Sequence, residues 1–258
     1  MCRLAAYLGP ELLLKDLFHE GPHSLYEQSW NSKEMKETSL NADGYGFGWH
    51  LDNSEAANFT STLPIWADTN LDSLGSSLRQ PLWLAYVRSA TPGQTVNQAN
   101  TQPFKHGNLL FLHNGRIDRF NEGPRAALHS YLPANIASQI EGNTDSEYLF
   151  ALLKQALASG LSMDIALSEV CASMADILDG NAAMLNMVVS DGQTFTACRQ
   201  ALNGARYPSL YISDAHAHFP EAVLLASERF SNDEQWQTVE EGTLVVVDKD
   251  RNISQRSL

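Results

Sequence analysis

Hydrophobic residues follow two different spacings along this chain and divide it into three parts. Short apolar runs toward both ends predict β-strands, whereas the middle of the chain has the spacing of amphipathic helices. Strands are expected at 3–8, 44–49, 82–87 and 109–112 before the helices, and at 184–190, 193–199, 207–212, 223–227 and 243–248 after them. This order, with several hairpins, favours antiparallel sheets with helices packed outside over a parallel βαβ array.

Two helices are expected in the middle of the chain, over 145–158 and 163–178, because apolar residues recur there at every third or fourth position. Thr144 and Glu147 have the spacing of a capping box at the start of the first helix. Cys171 lies beside the apolar stripe of the second helix, which favours a buried and inert thiol over a reactive one.

Other local signals are less regular. Residues 71–80 predict a short helix that Pro81 ends. The stretch 19–40 is polar and aromatic without a clear period, which predicts a long loop or an irregular helix. Asp191-Gly192 is a hairpin signal between two of the expected strands.

The composition is that of an ordinary folded protein. With 258 residues, 43% of them hydrophobic, the chain can bury a sizeable core, and we expect a single domain over 1–258; the length also allows a domain with an elaborated C-terminal half. Its formal charge of −13 disfavours nucleic acid as a partner, and no apolar run is long enough to span a membrane. The three cysteines form no CxxC pair and no signal-peptide layout is present, so we expect a cytoplasmic protein with reduced thiols.

Cys2 is the strongest chemical signal, because removal of Met1 would leave it as the N-terminal residue. A thiol and a free α-amine would then share one residue. An α-amine has a pKa of roughly 7.7–8.0, so near neutral pH it can accept the thiol proton and later return it to a leaving group. A cysteine at position 2 also occurs by chance, so this interpretation depends on the rest of the chain.

Four further segments accompany Cys2. They are Asn41-Ala42-Asp43-Gly44-Tyr45-Gly46, Arg88-Ser89-Ala90-Thr91, His113-Asn114-Gly115 and Asn143-Thr144-Asp145-Ser146-Glu147. In order and spacing they resemble the class II glutamine amidotransferases, whose nucleophile is an N-terminal cysteine. Shorter matches resemble one branch, the stand-alone γ-glutamyl amidohydrolases of ergothioneine biosynthesis and their relatives in glutathione breakdown; these are Pro64-Ile65-Trp66-Ala67-Asp68-Thr69, Leu225-Ala226-Ser227-Glu228 and Trp236.

The resemblance implies a role for each matched residue. Cys2 would be the nucleophile, and the Asn114 side-chain amide and the Gly115 backbone N–H would form the oxyanion hole. Arg88 and Asp145 would bind the α-carboxylate and the α-ammonium of a γ-glutamyl substrate, and Thr91 would belong to the same binding site. The implied fold is α+β, an N-terminal-nucleophile αββα sandwich in which two antiparallel sheets face each other between helices.

Structural alternatives exist for three of these residues and segments. Arg88 is also compatible with a salt bridge at the rim of a pocket, and Asp145 with a favourable charge in the first turn of a helix. Asn114-Gly115 alone is a good type I′ turn. His113 is expected to support the site or the core rather than to act as a base, because the α-amine already fills that role.

The implied reaction is hydrolysis of a γ-glutamyl amide through a γ-glutamyl thioester, with no metal or organic cofactor. Two other functions stay open. The chain could be a glutaminase subunit that supplies ammonia to a separate partner, or a catalytically silent protein that binds γ-glutamyl metabolites. The leaving group, and whether the chain forms a homo-oligomer, are not encoded in a motif that we can interpret.

Several residues are left without a firm role. Trp30, Trp66 and the Tyr45/Phe47 strand are candidates for a wall around the leaving group, although aromatic residues in such positions are more often core. The glycines of 44–48 favour close backbone approach over phosphate binding. His19 and His23 are expected at the surface. A solvated loop is favoured over a metal site at Asp214-Ala215-His216-Ala217-His218.

Overall fold

Thirteen strands build two sheets in the computed structural model, which describes residues 2–34, 40–91, 93–206, 208–232 and 235–258. The strands are β1 (Arg3–Leu13), β2 (Tyr45–His50), β3 (Ala56–Ser61), β4 (Arg79–Val87), β5 (Phe104–His106), β6 (Leu109–Ile117), β7 (Ala183–Ser190), β8 (Phe195–Leu202), β9 (Tyr211–Ser213), β10 (Val223–Ala226), β11 (Gln237–Thr238), β12 (Thr243–Val247) and β13 (Ile253–Ser257). The helices are α1 (Leu14–His19), α2 (Leu25–Gln28), α3 (Leu71–Ser77), α4 (Pro124–Tyr131), α5 (Ala134–Ala137), α6 (Asp145–Ala158) and α7 (Met163–Ile177).

Both sheets are antiparallel throughout. The order in the first is β11-β9-β10-β1-β4-β2-β3 and in the second β13-β12-β8-β7-β6-β5. The first strand of the chain therefore lies in the middle of its sheet, between β10 and β4, in the register Ala5↔Ala226 and Ala5↔Ala85. This position fixes Cys2 at the end of a central strand rather than in a free terminus.

Three apolar clusters define four layers. One lies between the sheets, where Leu4, Leu84 and Tyr86 of the first sheet contact Leu112 and Val188 of the second. A second cluster joins the first sheet to α1, α2 and α3, and a third joins the second sheet to α4 to α7. The arrangement is the αββα sandwich expected from the sequence.

The two central helices occur where their periodicity predicts them, in α6 and α7. The capping box is only half formed: the Thr144 hydroxyl accepts the Glu147 N–H at 3.3 Å, but the Glu147 carboxylate accepts the N–H groups of Glu141 and Gly142. The carboxylate thus orders the loop before α6. Cys171 is buried beside Cys198, as the inert interpretation expects.

The prediction for 71–80 is wrong at its C-terminal end. Helix α3 ends at Ser77, and Pro81 lies within β4. A proline is tolerated there because the pairing with β1 shifts between Leu82↔Leu8 and Gln80↔Leu12, so no ladder hydrogen bond needs its missing N–H.

The glycines of β2 permit a close backbone approach, as expected. A Cβ on Gly46 would lie 2.2 Å from the Gln102 carbonyl oxygen. Tyr45 and Phe47 are fully buried in the cluster between the first sheet and its helices, so they are core and not a wall around a leaving group. In the described residues no helix is long and apolar enough to cross a bilayer.

Candidate active site

A pocket of about 260 Å³ opens beside the N-terminal end of β1. Cys2, Arg88, Thr91, Gly115 and Asp145, five of the six site residues predicted from the sequence, line it. The other lining residues are Tyr86, Ser89, Ala90, Gln94, Asn100, Gln102, Arg116, Thr144 and Ser146. A thiol, a guanidinium and a carboxylate from three distant parts of the chain therefore meet around one cavity.

Cys2 is partly exposed to this pocket, and its sulphur contacts the backbone of Ser89. The Ser89 N–H donates to Sγ at 3.3 Å, and the thiol donates to the Ser89 carbonyl oxygen at 3.4 Å. These two contacts hold the sulphur against the Ser89 backbone at the edge of the pocket. The site can thus hold a nucleophilic sulphur in place.

The segment after β4 is held from the other side by Asp43 and Gly44. The Asp43 carboxylate accepts the Ala90 N–H at 2.8 Å, the Asp43 N–H donates to the Arg88 carbonyl at 3.0 Å, and the Arg88 N–H donates to the Gly44 carbonyl at 2.8 Å. The motif around Asp43 was visible in the sequence, but its support of this segment was not foreseen.

Arg88 is 2% exposed, which excludes the rim salt bridge that the sequence left open. Its Nη2 donates to the Thr95 carbonyl oxygen at 3.1 Å. Its Nη1 has no hydrogen-bond partner in the described structure. A buried and unpaired donor of a guanidinium is costly, and a ligand carboxylate in the pocket would satisfy it.

Asp145 is the first residue of α6 and is 4% exposed. Its Oδ2 accepts the Ile117 N–H at 2.8 Å and its Oδ1 accepts the Ser146 N–H at 2.9 Å. Each carboxylate oxygen has a further lone pair, and the carboxylate borders the pocket. The contact with Ile117 joins α6 to the end of β6, which a favourable interaction with the helix dipole alone would not explain.

Asn114 and Gly115 lie inside β6, where they pair with Asn186 and Leu185 of β7, so the type I′ turn is excluded. Asn114 is buried next to the pocket without being one of its lining residues, and its Oδ1 has no partner among the described residues. A Cβ on Gly115 would lie 1.8 Å from the Met184 carbonyl oxygen, so only glycine fits there.

The side chain of His113 lies on the face of β6 opposite to that of Asn114, where it contacts residues that support the site. Its Nε2 lies 3.0 Å from the Met184 carbonyl oxygen, and its Nδ1 lies 2.8 Å from the Ser146 hydroxyl. Burial lowers the pKa of His113, so the ring is neutral near pH 7. Because a carbonyl only accepts, Nε2 carries the proton and Nδ1 accepts from Ser146. This matches the supporting role expected for His113.

A buried charge cluster lies next to Cys2, and no sequence motif predicted it. The Glu228 carboxylate lies 3.2 Å from Arg3 Nη1 and 2.5 Å from His23 Nε2, and it accepts the N–H groups of Lys33 and Glu34. The expectation that His23 is a surface residue is therefore wrong; it is buried because Glu228 pairs with it. Glu228 belongs to a segment that was singled out, but its partners lie about two hundred residues away in sequence.

The remaining candidates are not part of this pocket. Trp30 and Trp66 are 46% and 38% exposed and do not line it. His19 is exposed, as expected. His216 is buried and contacts the Ser231 hydroxyl at 3.1 Å, so the solvated-loop prediction is wrong for that residue. No group of three or more potential metal ligands is found in the described ranges.

Comparison with known proteins gives matches along nearly the whole chain. The family model described as class II glutamine amidotransferases matches residues 25–256. The γ-glutamyl-hercynylcysteine sulfoxide hydrolase of Mycolicibacterium smegmatis is 33% identical over 249 residues, which are 96% of this chain and 96% of that protein.

Two solved structures have the same fold. A glutamine aminotransferase class-II domain protein from Silicibacter pomeroyi superposes with a TM-score of 0.71 at 23% identity, over 99% of this chain and 98% of that one. The glutamine phosphoribosylpyrophosphate amidotransferase of B. subtilis gives a TM-score of 0.67 at 14% identity, over 99% of this chain and 49% of that one. At these identities the likeness concerns the fold.

Proposed function

This chain belongs to the class II glutamine amidotransferase family, and from that premise we propose that it hydrolyses the γ-glutamyl amide bond of a small-molecule conjugate with Cys2 as nucleophile. The observation that carries the proposal is the pocket itself. A partly exposed thiol, an unpaired buried guanidinium nitrogen and a buried carboxylate border one cavity. A γ-glutamyl group carries the matching set: an electrophilic carbonyl, an α-carboxylate and an α-ammonium.

Binding follows from charge and hydrogen-bonding capacity. The α-carboxylate pairs with Arg88, whose Nη1 faces no partner among the described residues, and the α-ammonium pairs with Asp145. Thr91 lies on the same wall of the pocket and can contribute its hydroxyl. With the α-groups bound in this way, the γ-carbonyl is directed toward Cys2.

The first half of the proposed reaction forms a thioester. After removal of Met1, the α-amine of Cys2 takes the thiol proton, and the thiolate attacks the γ-carbonyl carbon. The negative charge on the carbonyl oxygen is stabilised by the Asn114 amide and the Gly115 N–H, where one donor contributes roughly 2.7–4 kcal/mol. The protonated α-amine then donates its proton to the leaving nitrogen as the carbon–nitrogen bond breaks.

The second half uses water. The α-amine accepts a proton from a water molecule, whose oxygen attacks the thioester carbonyl at the same oxyanion site. The carbon–sulphur bond breaks, the proton returns to sulphur, and glutamate leaves. Free glutamate and the released amine are the two products.

The leaving group is proposed from the relative in Mycolicibacterium smegmatis. The likeness to the γ-glutamyl-hercynylcysteine sulfoxide hydrolase extends over 96% of each chain, so it is not confined to a segment shared by larger proteins. We therefore take γ-glutamyl-hercynylcysteine sulfoxide as the first substrate to test.

The test measures glutamate release by protein whose N-terminal residue has been identified by mass. The panel is γ-glutamyl-hercynylcysteine sulfoxide, γ-glutamylcysteine, glutathione and glutamine. We expect the first to give the highest kcat/KM. Turnover of glutamine alone would favour a glutaminase that supplies ammonia to a partner. Binding of the sulfoxide without any turnover, by protein that begins with Cys2, would favour a silent binding protein.

Two cysteine variants complete the test. Cys2→Ala should abolish glutamate release while leaving the thermal unfolding midpoint close to that of the unchanged protein. Cys171→Ala is the matched control, because that thiol is buried between α7 and the second sheet, away from the pocket. Retained activity in Cys2→Ala would refute the mechanism.

A further inference from the structure

Tyr86 is a polar side chain beside Cys2 to which the proposed mechanism gives no role. It lies on β4 opposite Leu4 of β1, in the register Leu4↔Tyr86. Side chains two residues apart in a strand point to the same face, so Cys2, Leu4 and Tyr86 share the face that looks toward the second sheet. Tyr86 and Cys2 both line the pocket, on neighbouring strands and on the same face of the sheet, so the Tyr86 hydroxyl and the Cys2 sulphur are close neighbours.

Gln102 determines which way the Tyr86 hydroxyl points. The Gln102 Oε1 accepts the His113 N–H at 2.5 Å, which fixes the orientation of the amide. Its Nε2 therefore donates, to the His113 carbonyl at 3.0 Å and to the Tyr86 oxygen at 3.0 Å. The Tyr86 oxygen already accepts this hydrogen bond, so its own hydrogen can be donated to another group that borders the pocket.

We propose that the Tyr86 hydroxyl donates a hydrogen bond to the Cys2 sulphur, stabilises the thiolate and holds it in the direction of attack. This inference rests on the proposed function for its kinetic part only. Together with the Ser89 N–H, it gives the sulphur two donors, one from the backbone and one from a side chain. The proton of the thiol still moves to the α-amine; Tyr86 keeps its own proton throughout.

The surrounding charges are consistent with a tyrosine that stays protonated. Burial, the negative charge of the Cys2 thiolate and the hydrogen bond to Cys2 all raise the pKa of Tyr86 above its ordinary value, while Arg88 acts in the opposite direction. Asp145 raises it further. Arg3, which Glu228 and Glu34 face, also interacts electrostatically with Cys2 and Tyr86.

The test compares Tyr86→Phe with the unchanged protein across pH 5–10, by two measurements. The first is the rate of alkylation of Cys2 by iodoacetamide, which needs no substrate. The second is kcat/KM for the best substrate of the panel. We expect the alkylation midpoint and the acidic limb of kcat/KM to move up by about one pH unit, with about a ten-fold loss of kcat/KM at pH 7 and recovery above pH 9.

Tyr7→Phe is the matched control. Tyr7 is a buried tyrosine of β1 whose hydroxyl donates to the Pro10 carbonyl at 2.8 Å, on the face away from the pocket. Neither pH profile should change in this variant. An equal shift in Tyr7→Phe, or no shift in Tyr86→Phe, would overturn the proposal. If no γ-glutamyl compound is turned over, the proposed function fails, but the pH profile of alkylation still tests the hydrogen bond from Tyr86 to Cys2.

A measurement on the unmodified sequence covers the case in which Tyr86→Phe does not fold. In protein carrying isotope-labelled tyrosine rings, one ring-carbon resonance should follow the titration of Cys2. The same resonance should stay constant over that pH range in Cys2→Ala. Absence of any tyrosine resonance that follows Cys2 would refute the hydrogen bond.

Discussion

Arg3 and Arg88 are the two arginines buried next to Cys2, with exposures of 1% and 2%, and they differ in what faces their charge. Arg3 has a protein carboxylate, Glu228, at 3.2 Å. Arg88 has only a carbonyl oxygen at one nitrogen, and no partner among the described residues at another. Taking a guanidinium out of water is expensive, so the charge of Arg88 lacks the compensation that Arg3 receives.

The difference distinguishes a charge that is paired within the protein from one that is open to a ligand. Glu228 also accepts two backbone N–H groups of the 33–34 segment, so its contacts tie Arg3, and with it the start of β1, to the rest of the fold. The positive charge of Arg88 can be compensated by a negatively charged group of a ligand that binds in the pocket. A carboxylate partner inside the protein offsets the desolvation cost of a buried charge, whereas a charge without one is available for a ligand of opposite charge.

The largest expected effect comes from removing the partner of Arg3. Glu228→Gln should lower the free energy of unfolding by about 3–5 kcal/mol, because Arg3 would remain buried without the carboxylate that pairs with it at 3.2 Å. Denaturant unfolding at pH 7 measures it. The matched variant Asp118→Asn breaks an exposed pair with Arg116 and should change stability by less than about 1 kcal/mol. A similar small change in Glu228→Gln would contradict the structural role.

For Glu228→Gln we also expect a particular dependence of the free energy of unfolding on pH. Burial alone would raise the pKa of Glu228, but the hydrogen bonds from His23 and Lys33 and the charge of Arg3 outweigh it and hold that pKa below its ordinary value. The stabilisation is therefore complete above the unfolded glutamate pKa of about 4.3 and is lost as the pH falls through the lower folded value. The free energies of unfolding of the unchanged protein and of Glu228→Gln should therefore converge as the pH falls through that value.

Arg88→Lys should have a smaller effect, and on substrate use rather than on stability. An ammonium keeps the charge but cannot form two parallel hydrogen bonds with a carboxylate, which corresponds to about 1.5–3 kcal/mol, or roughly a 10- to 100-fold loss of kcat/KM. The unfolding midpoint should change far less than in Glu228→Gln. Unchanged kinetics would place Arg88 outside the binding site.

The smallest expected effect is protection by the product. In Cys2→Ala, glutamate at ten times its Kd should raise the free energy of unfolding by about 1.4 kcal/mol, since it supplies the carboxylate that Arg88 lacks. Glutarate, which has no α-ammonium for Asp145, should protect less at the same concentration. Equal protection of the Cys2→Ala and the Cys2→Ala/Arg88→Lys proteins would show that glutamate binds elsewhere.

The spacing of apolar residues was sufficient to predict helices α6 and α7, which are 14 and 15 residues long. It was insufficient for the edge strands β3 and β13, in which at least half of the residues are polar. Their strand state comes from pairing with a neighbour rather than from their own sequence. The helix end expected at Pro81 was wrong for a related reason: whether a proline fits in a strand depends on the local register with the neighbouring strand.

In the candidate site, too, some residues could be predicted from the sequence and others could not. Cys2, Arg88 and Asp145 could be predicted, because a family resemblance supplied their association. The partners of Glu228 and the orientation of Tyr86 by Gln102 could not, because each depends on side chains brought together only by the packed sheets. Local sequence contains no information on those distances.

The central position of β1 has a consequence for the order of synthesis. Its neighbours in the sheet are β4 and β10, and β10 ends at Ala226. A ribosome must therefore translate almost the whole domain before the strand that carries Cys2 can acquire both neighbours. Until then β1 can pair only with β4, so the sheet that supports Cys2 stays incomplete on its other side.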